Sequence, residues 1–214
     1  MSEPVSVRAR FERFPATVKG AFVIRGEDPD PHQVAFREAR IVPVAGRGPE
    51  HEIAMKEAVL DAPPHQDVFL PFEFSIVELE PGWYGLECDL EVDGVHQTFP
   101  GGRRFVVQWP RAAVRRGTIR VGNELSLGGV SVSLEQLECT GDQVALRYEV
   151  SPPEPVTLRL VADGARLGEL DVDFDEESGQ GKLTAYPLLR SQSKLRIEAA
   201  RGRDAEGAVD VDLP

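Results

Sequence analysis

The chain has 214 residues, a formal charge of −12, and 41% hydrophobic against 28% charged residues. That is enough for two ordinary domains of about 100 to 150 residues, with a balance that indicates neither global disorder nor a membrane protein. No stretch approaches the roughly 18 consecutive apolar residues of a bilayer span, and Met1-Ser2-Glu3-Pro4 lacks the basic-then-apolar order of a secretory leader, so a cytoplasmic location is expected.

Divided near residue 112, each half carries 12 basic and 18 acidic residues, so neither half is a basic domain. Binding to nucleic acid or to an anionic membrane is therefore not expected. Cys88 and Cys139 fall one in each half, so no disulfide can close within either, which suits a reducing compartment.

Period-two alternation runs through almost the whole chain, and no window of a dozen residues holds an apolar stripe at helical spacing. Val5, Val7, Ala9 and Phe11 alternate with Ser6, Arg8, Arg10 and Glu12, as a strand with one wet face requires. Val18, Phe22 and Ile24 repeat the pattern. Further strands are predicted near residues 33 to 44 and 51 to 60, and Leu70, Phe72, Phe74 and Ile76 then supply most of an aromatic core. Tyr84, Leu86, Cys88, Leu90 and Val92 oppose Trp83, Gly85, Glu87, Asp89 and Glu91 in the clearest alternation of the chain. Asp93-Gly94 predicts a tight hairpin turn, and Phe105, Val107 and Trp109 the return strand.

The segment Arg111 to Gly117 breaks the alternation, which places a domain boundary there: 1–112 and 113–214. Strands resume at Ile119 and Val121, at Val130, Val132 and Leu134, and, after Gly141-Asp142, at Val144, Leu146, Tyr148 and Val150. Pro152, Pro153 and Pro155 punctuate the next connection. Val156, Leu158 and Leu160 lead through the hairpin signal Asp163-Gly164 to Leu170, Val172 and Phe174. Leu195, Ile197 and Ala199, then Val209, Val211 and Leu213, close the second half.

Leu79-Glu80-Pro81-Gly82-Trp83-Tyr84-Gly85-Leu86 resembles the tyrosine corner of immunoglobulin and fibronectin type III domains, with Tyr84 in the place of the corner tyrosine. Leu86 stands where immunoglobulins place their second cysteine, so the resemblance implies a disulfide-free sandwich. Leu195 to Ala199, followed by Asp204 and Gly207, is similar to the closing hairpin of bacterial Ig-like repeats. The fold class expected is all-β, two consecutive Ig-like antiparallel β-sandwich domains, the second smaller. This superfold hosts many unrelated functions, so the resemblance implies architecture alone.

Catalytic and cofactor motifs fail on inspection. His51-Glu52-Ile53-Ala54-Met55 begins like HExxH, but Met55 replaces the second histidine and the segment alternates as a strand. The histidines His32, His51, His65 and His96 lack ligand spacing, and no zinc site is assigned. Asp171, Asp173, Asp175, Glu176 and Glu177 raise the question of calcium, but an EF-hand loop needs Gly where Glu176 stands and Glu where Lys182 stands. Gly46-Arg47-Gly48 and Gly181-Lys182-Leu183 do not complete nucleotide loops. Cys88 shares the face of Leu86 and Leu90, as a core residue does, and no G-x-S-x-G elbow occurs. No catalytic residue, cofactor or metal ligand is assigned.

Two features read as binding surface: Trp83, on the polar face of its strand, and the arginines Arg103, Arg104, Arg115 and Arg116, with Arg111, around the boundary. Burial against a loop, or pairing with acids such as Glu78 or Glu124, is the bland account of both. The expectation is a non-catalytic protein-binding or scaffolding module, with an unidentified protein partner or self-association through sheet edges. The alternative is an enzyme or small-ligand binder with a site in an interdomain cleft, built from residues such as His96, Arg103 and Asp67. Two-domain Ig-like pilus chaperones offer an analogy for strand capping, although they work in the periplasm.

Overall fold

In the computed structural model, which describes residues 4–46, 48–202 and 205–214, almost every alternating segment is a strand. Met1 to Glu3, Arg47 and Asp204, all quoted from the sequence above, lie outside the described residues. Among the described residues no helix is long and apolar enough to cross a membrane. The chain divides into two compact units, Met1–Val107 and Gln108–Pro214.

The first unit contains β1 (Val5–Arg13), β2 (Thr17–Gly26), β3 (His32–Pro43), β4 (His51–Glu52), β5 (Ala58–Ala62), β6 (Asp67–Ser75), β7 (Gly82–Val92), β8 (Val95–Pro100) and β9 (Phe105–Val107). One sheet has the order β1-β2-β6. The other has β4-β3-β7-β8, with β5 on β3 and β9 on β7. This is the A-B-E and C-F-G division of an immunoglobulin sandwich, every pairing antiparallel. Inward residues of the two sheets meet in a chain of rings: Phe22 to Phe72 at 5.0 Å, Phe72 to Phe74 at 5.8 Å, Phe74 to Phe105 at 5.8 Å, and Tyr84 to Phe105 at 5.6 Å. Each ring buried here contributes about 1.5–3 kcal/mol, plus edge or stacking terms. The Tyr84 hydroxyl donates to the Glu80 carbonyl at 2.9 Å, closing the turn before β7 as the tyrosine-corner resemblance implied. Cys88 is fully buried, and that burial pushes its thiol up to about 12.

The second unit contains β10 (Gly117–Leu127), β11 (Val130–Cys139), β12 (Val144–Ser151), β13 (Thr157–Ala162), β14 (Ala165–Arg166), β15 (Glu169–Phe174), β16 (Gln180–Ala185), β17 (Lys194–Arg201) and β18 (Ala205–Asp212). Its sheets run β10-β11-β12-β16-β15 and β14-β13-β17-β18, an A-B-E-D and C′-C-F-G sandwich with β10 added outside the A strand. The core is aliphatic, with Leu134, Leu137, Leu146, Leu160, Leu183 and Leu188 all but fully buried. Tyr148 and Phe174 stack at 6.3 Å and 5°.

Several predicted strands are redrawn. The return after Asp93-Gly94 is β8, not the 105–109 segment. Phe105 to Val107 form the short β9, and Trp109 lies outside any strand, its ring 5.7 Å from Tyr186. The 51–60 run splits into β4 and β5: Ile53 is buried and its amide still donates to the Ala39 carbonyl at 2.8 Å, and the strand then breaks until Ala58. Val44 ends β3 in a single 3₁₀ turn whose Ala45 has φ 64°. Asp163-Gly164 does form a tight turn, but it leads into the two-residue β14, whereas β15 crosses to the other sheet. β16 had no predicted counterpart: Gly181 interrupts its pattern, and a Cβ there would strike the Tyr148 ring.

Candidate functional site

β7 carries Tyr84, Leu86, Cys88 and Leu90 inward, which puts Trp83, Gly85, Glu87, Asp89 and Glu91 on the outer face of the β3-β7 sheet. Register assembles the rest. Trp83 lies opposite Val106 of β9, and Gly85 opposite Val42 of β3. Trp83, Val42 and Val106 are all half-buried. A Cβ on Gly85 would lie 3.5 Å from the Val42 Cγ2, so glycine leaves a shallow apolar hollow beside the indole.

Beyond that hollow the face turns acidic. Arg40 is paired in register with both Glu52 and Glu87. Its guanidinium reaches Glu50 at 3.5 Å, Glu87 at 3.5 Å and Asp89 at 3.3 Å. Arg37 sits at the bulge between Phe36 and Glu38 and pairs with Glu91. That bond raises the guanidinium pKa above its ordinary value. Glu38, Glu52 and Asp61 complete the surface, with no ion pair among the described residues. Arg37 and Arg40 thus face carboxylates at 38, 50, 52, 61, 87, 89 and 91, and the face is net negative. Asp89 is held at 8% exposure beneath Arg40, so part of this charge is fixed in place by the sheet.

The predicted arginines divide between the two units, Arg103 and Arg104 in the first and Arg115 and Arg116 in the second. The Arg103 Nη1 donates to the Phe11 carbonyl at 2.8 Å while its guanidinium covers the Phe11 ring at 4.7 Å. It straps the segment before β9 to β1 and stays exposed on its other side. Arg104 is exposed in the same segment. Arg115 is turned inward on main-chain oxygens of Leu189, Arg190, Gln192 and Pro214, and so fastens its own unit. Arg116 is exposed against Gly141. Glu124, one of the acids expected to pair with the boundary arginines, accepts from Ser131.

His96, Arg103 and Asp67 are not brought together. His96 faces outward on β8 opposite Glu91, whereas Asp67 faces outward on β6 of the other sheet, bound to Arg8 at 3.0 Å and Arg25 at 3.3 Å. Among the described residues no His, Cys, Asp and Glu side chains gather as a metal site. Asp175 caps its own turn by accepting the amides of Glu177 and Ser178, which holds its carboxyl below the ordinary range.

Alternation alone exposes Trp83, but Val42, Val106 and Arg40 join it only through cross-strand register over intervals no sequence pattern marks. No protein-family model matches the sequence, and no curated protein matches it. Among solved structures the chain is similar to a conserved domain protein from Bacillus anthracis, with TM-score 0.41 and 11% identity over 100% of this chain and 89% of that one. It is also similar to a marsupial T cell receptor, with TM-score 0.30 and 10% identity over 99% of this chain and 63% of that one.

Proposed function

We propose that the protein is a non-catalytic binding module whose first unit holds a basic polypeptide segment on the outer face of the β3-β7 sheet. The observation that carries this reading is the juxtaposition of the Trp83, Val42 and Val106 hollow with a stripe of carboxylates that Arg37 and Arg40 do not neutralise. An aromatic beside a shallow pocket supplies anchoring area at low entropic cost, and surrounding charge of one sign steers and selects a partner of the other. A second copy of the chain suits this face less well, because each copy carries −12.

The test is retention from the native lysate at low salt by the full chain beside Trp83→Ala and Glu52→Lys. The expected result is a basic protein retained by the wild type, released at about 1 M salt, where screening acts over about 3 Å, and weakened by both variants. Truncating an aromatic anchor costs at least about 2 kcal/mol, about 30-fold in Kd. Equal retention by all three proteins, or a chain that stays monomeric and retains nothing, overturns the proposal.

A further inference from the structure

The second unit holds a cluster of cations that its own carboxylates leave unanswered. Arg115 and Arg116 precede β10, and Arg190 lies in the segment before β17. With Thr118, Ile119, Cys139 and Pro214 they line a hollow of about 430 Å³. Main-chain pairing joins the two stretches: Val114 bridges Leu189, the Arg115 amide donates to the Leu188 carbonyl at 2.8 Å, and the Arg190 amide donates to the Ala113 carbonyl at 2.8 Å.

Carbonyls then fix the side chains. Arg115 donates to Gln192 at 2.6 Å and Leu189 at 3.3 Å, as well as to Pro214, and the Arg190 Nε donates to Val114 at 3.1 Å. The Arg116 guanidinium lies against the Cα of Gly141, where a Cβ would come within 2.7 Å of Nη2. Gly141 has φ 100°, so both the turn and the close approach call for glycine.

Among the described residues, Arg115, Arg116 and Arg190 form no ion pair with a side-chain carboxylate, although acids outnumber bases 36 to 24 in the chain. Asp163 feels Arg115, but its carboxylate already accepts the amides of Ser193 and Lys194. The carbonyls of Leu189, Gln192 and Val114 satisfy N–H groups without cancelling charge, so the positive charge of Arg116 and Arg190 remains beside the hollow. The acidic remainder of the molecule is screened beyond about 8 Å at physiological salt. The Arg190 guanidinium, held by the Val114 carbonyl, loses little freedom on binding, and the planar forks of Arg190 and Arg116 match tetrahedral oxyanions.

We propose that this hollow is a binding site for a phosphate group, free or carried on a small ester, with Arg116 and the Nη groups of Arg190 as the contacting donors. The site is independent of the sheet face of the first unit. Its test is a titration of the full chain with sodium phosphate, and separately with glycerol phosphate, followed at the backbone amides of Arg116, Thr118 and Gly141 and matched in ionic strength with sodium chloride.

Saturating shifts at these amides, absent with chloride and weakened at least 5-fold by Arg116→Gln, are expected. Tighter saturation by glycerol phosphate assigns the site to an ester, and tighter saturation by inorganic phosphate to the free ion. Because Arg116 is exposed and fastens nothing, its replacement leaves the fold intact. Shifts that match chloride, or equal affinity in Arg116→Gln, overturn the proposal.

Discussion

The two units share a strand order and differ in what fastens it. The first is built round linked rings, Phe22, Phe72, Phe74, Phe105 and Tyr84, and its turn into β7 is closed by the Tyr84 hydroxyl on the Glu80 carbonyl. The second has an aliphatic core, and the corresponding region before β17 is held by Arg115 on several main-chain oxygens, with Gln192 accepting the Leu189 amide at 2.7 Å. One topology thus accepts a neutral hydroxyl or a guanidinium at the same task. Beside that guanidinium stand Arg116 and Arg190, the two donors of the proposed anion site.

The largest effects come from the cores. Each unit holds one tryptophan, Trp83 in the first and Trp109 in the second, so single-tryptophan variants report each sandwich separately in denaturant. Phe72→Ala is expected to cost the first unit about 3–5 kcal/mol, and Leu146→Ala the second about 2–5 kcal/mol. Ring loss takes away a tilted contact with Phe22 and a stacked one with Phe74, whereas Leu146→Ala loses dispersion and leaves a void in an aliphatic core. A larger loss from Leu146→Ala than from Phe72→Ala would break the contrast between an aromatic and an aliphatic interior.

The fastenings come next. Arg115→Gln removes charge-assisted bonds and leaves part-buried carbonyls unmatched, for an expected loss of about 2–3 kcal/mol read by Trp109 fluorescence. Tyr84→Phe removes one neutral bond and keeps the ring, for about 1 kcal/mol read by Trp83. A larger loss from Tyr84→Phe than from Arg115→Gln would show that the two devices do not do comparable work.

Of these features, the sequence carries those whose cause is local. The corner at Tyr84 is legible because the turn, the aromatic and its acceptor lie within five residues. The inward set of β7 is legible because side chains alternate with period two. β16 was hidden because Gly181 serves Tyr148, a residue on the neighbouring strand, and so removes an apolar mark from its own. Trp109 reads as strand from its spacing after Val107, but its ring packs on Tyr186, far along the chain. For the same reason Trp83 is visible on the outer face of its strand, while Val42 and Arg40 join that face only through the β3-β7 register. Arg115 and Arg116 look equivalent in sequence, yet one is inside its unit's seam and the other outside, because Leu189 to Gln192 supply the acceptors.

The smallest expected effect separates two Asp-Gly turns of one design. Asp93 and Asp163 both take left-handed φ, 49° and 45°, and both carboxylates accept main-chain amides of a neighbouring strand, Gln33 in the first unit and Ser193 and Lys194 in the second. Hydrogen bonds hold both carboxyls below their ordinary value, from His32 foremost at Asp93 and from the Lys194 amide foremost at Asp163. Each therefore stabilises its unit above the unfolded carboxyl value and loses that contribution as pH falls through the lower folded value.

Only the first turn adds a histidine, His32, whose ring nitrogens lie 2.6 Å from Asp93 and 2.6 Å from Asp28. The bonds to Asp93 and then Asp28 raise its pKa above 6.5. A raised histidine contributes fully below the unfolded value and loses its contribution as pH rises through the folded one. The midpoint read by Trp83 should accordingly fall as pH rises above the ordinary histidine value of about 6.5, His32→Gln should flatten that fall, and the Trp109 midpoint should lack this component. A Trp83 profile with the same slope in His32→Gln as in the wild type would remove histidine from the account and leave the two turns alike.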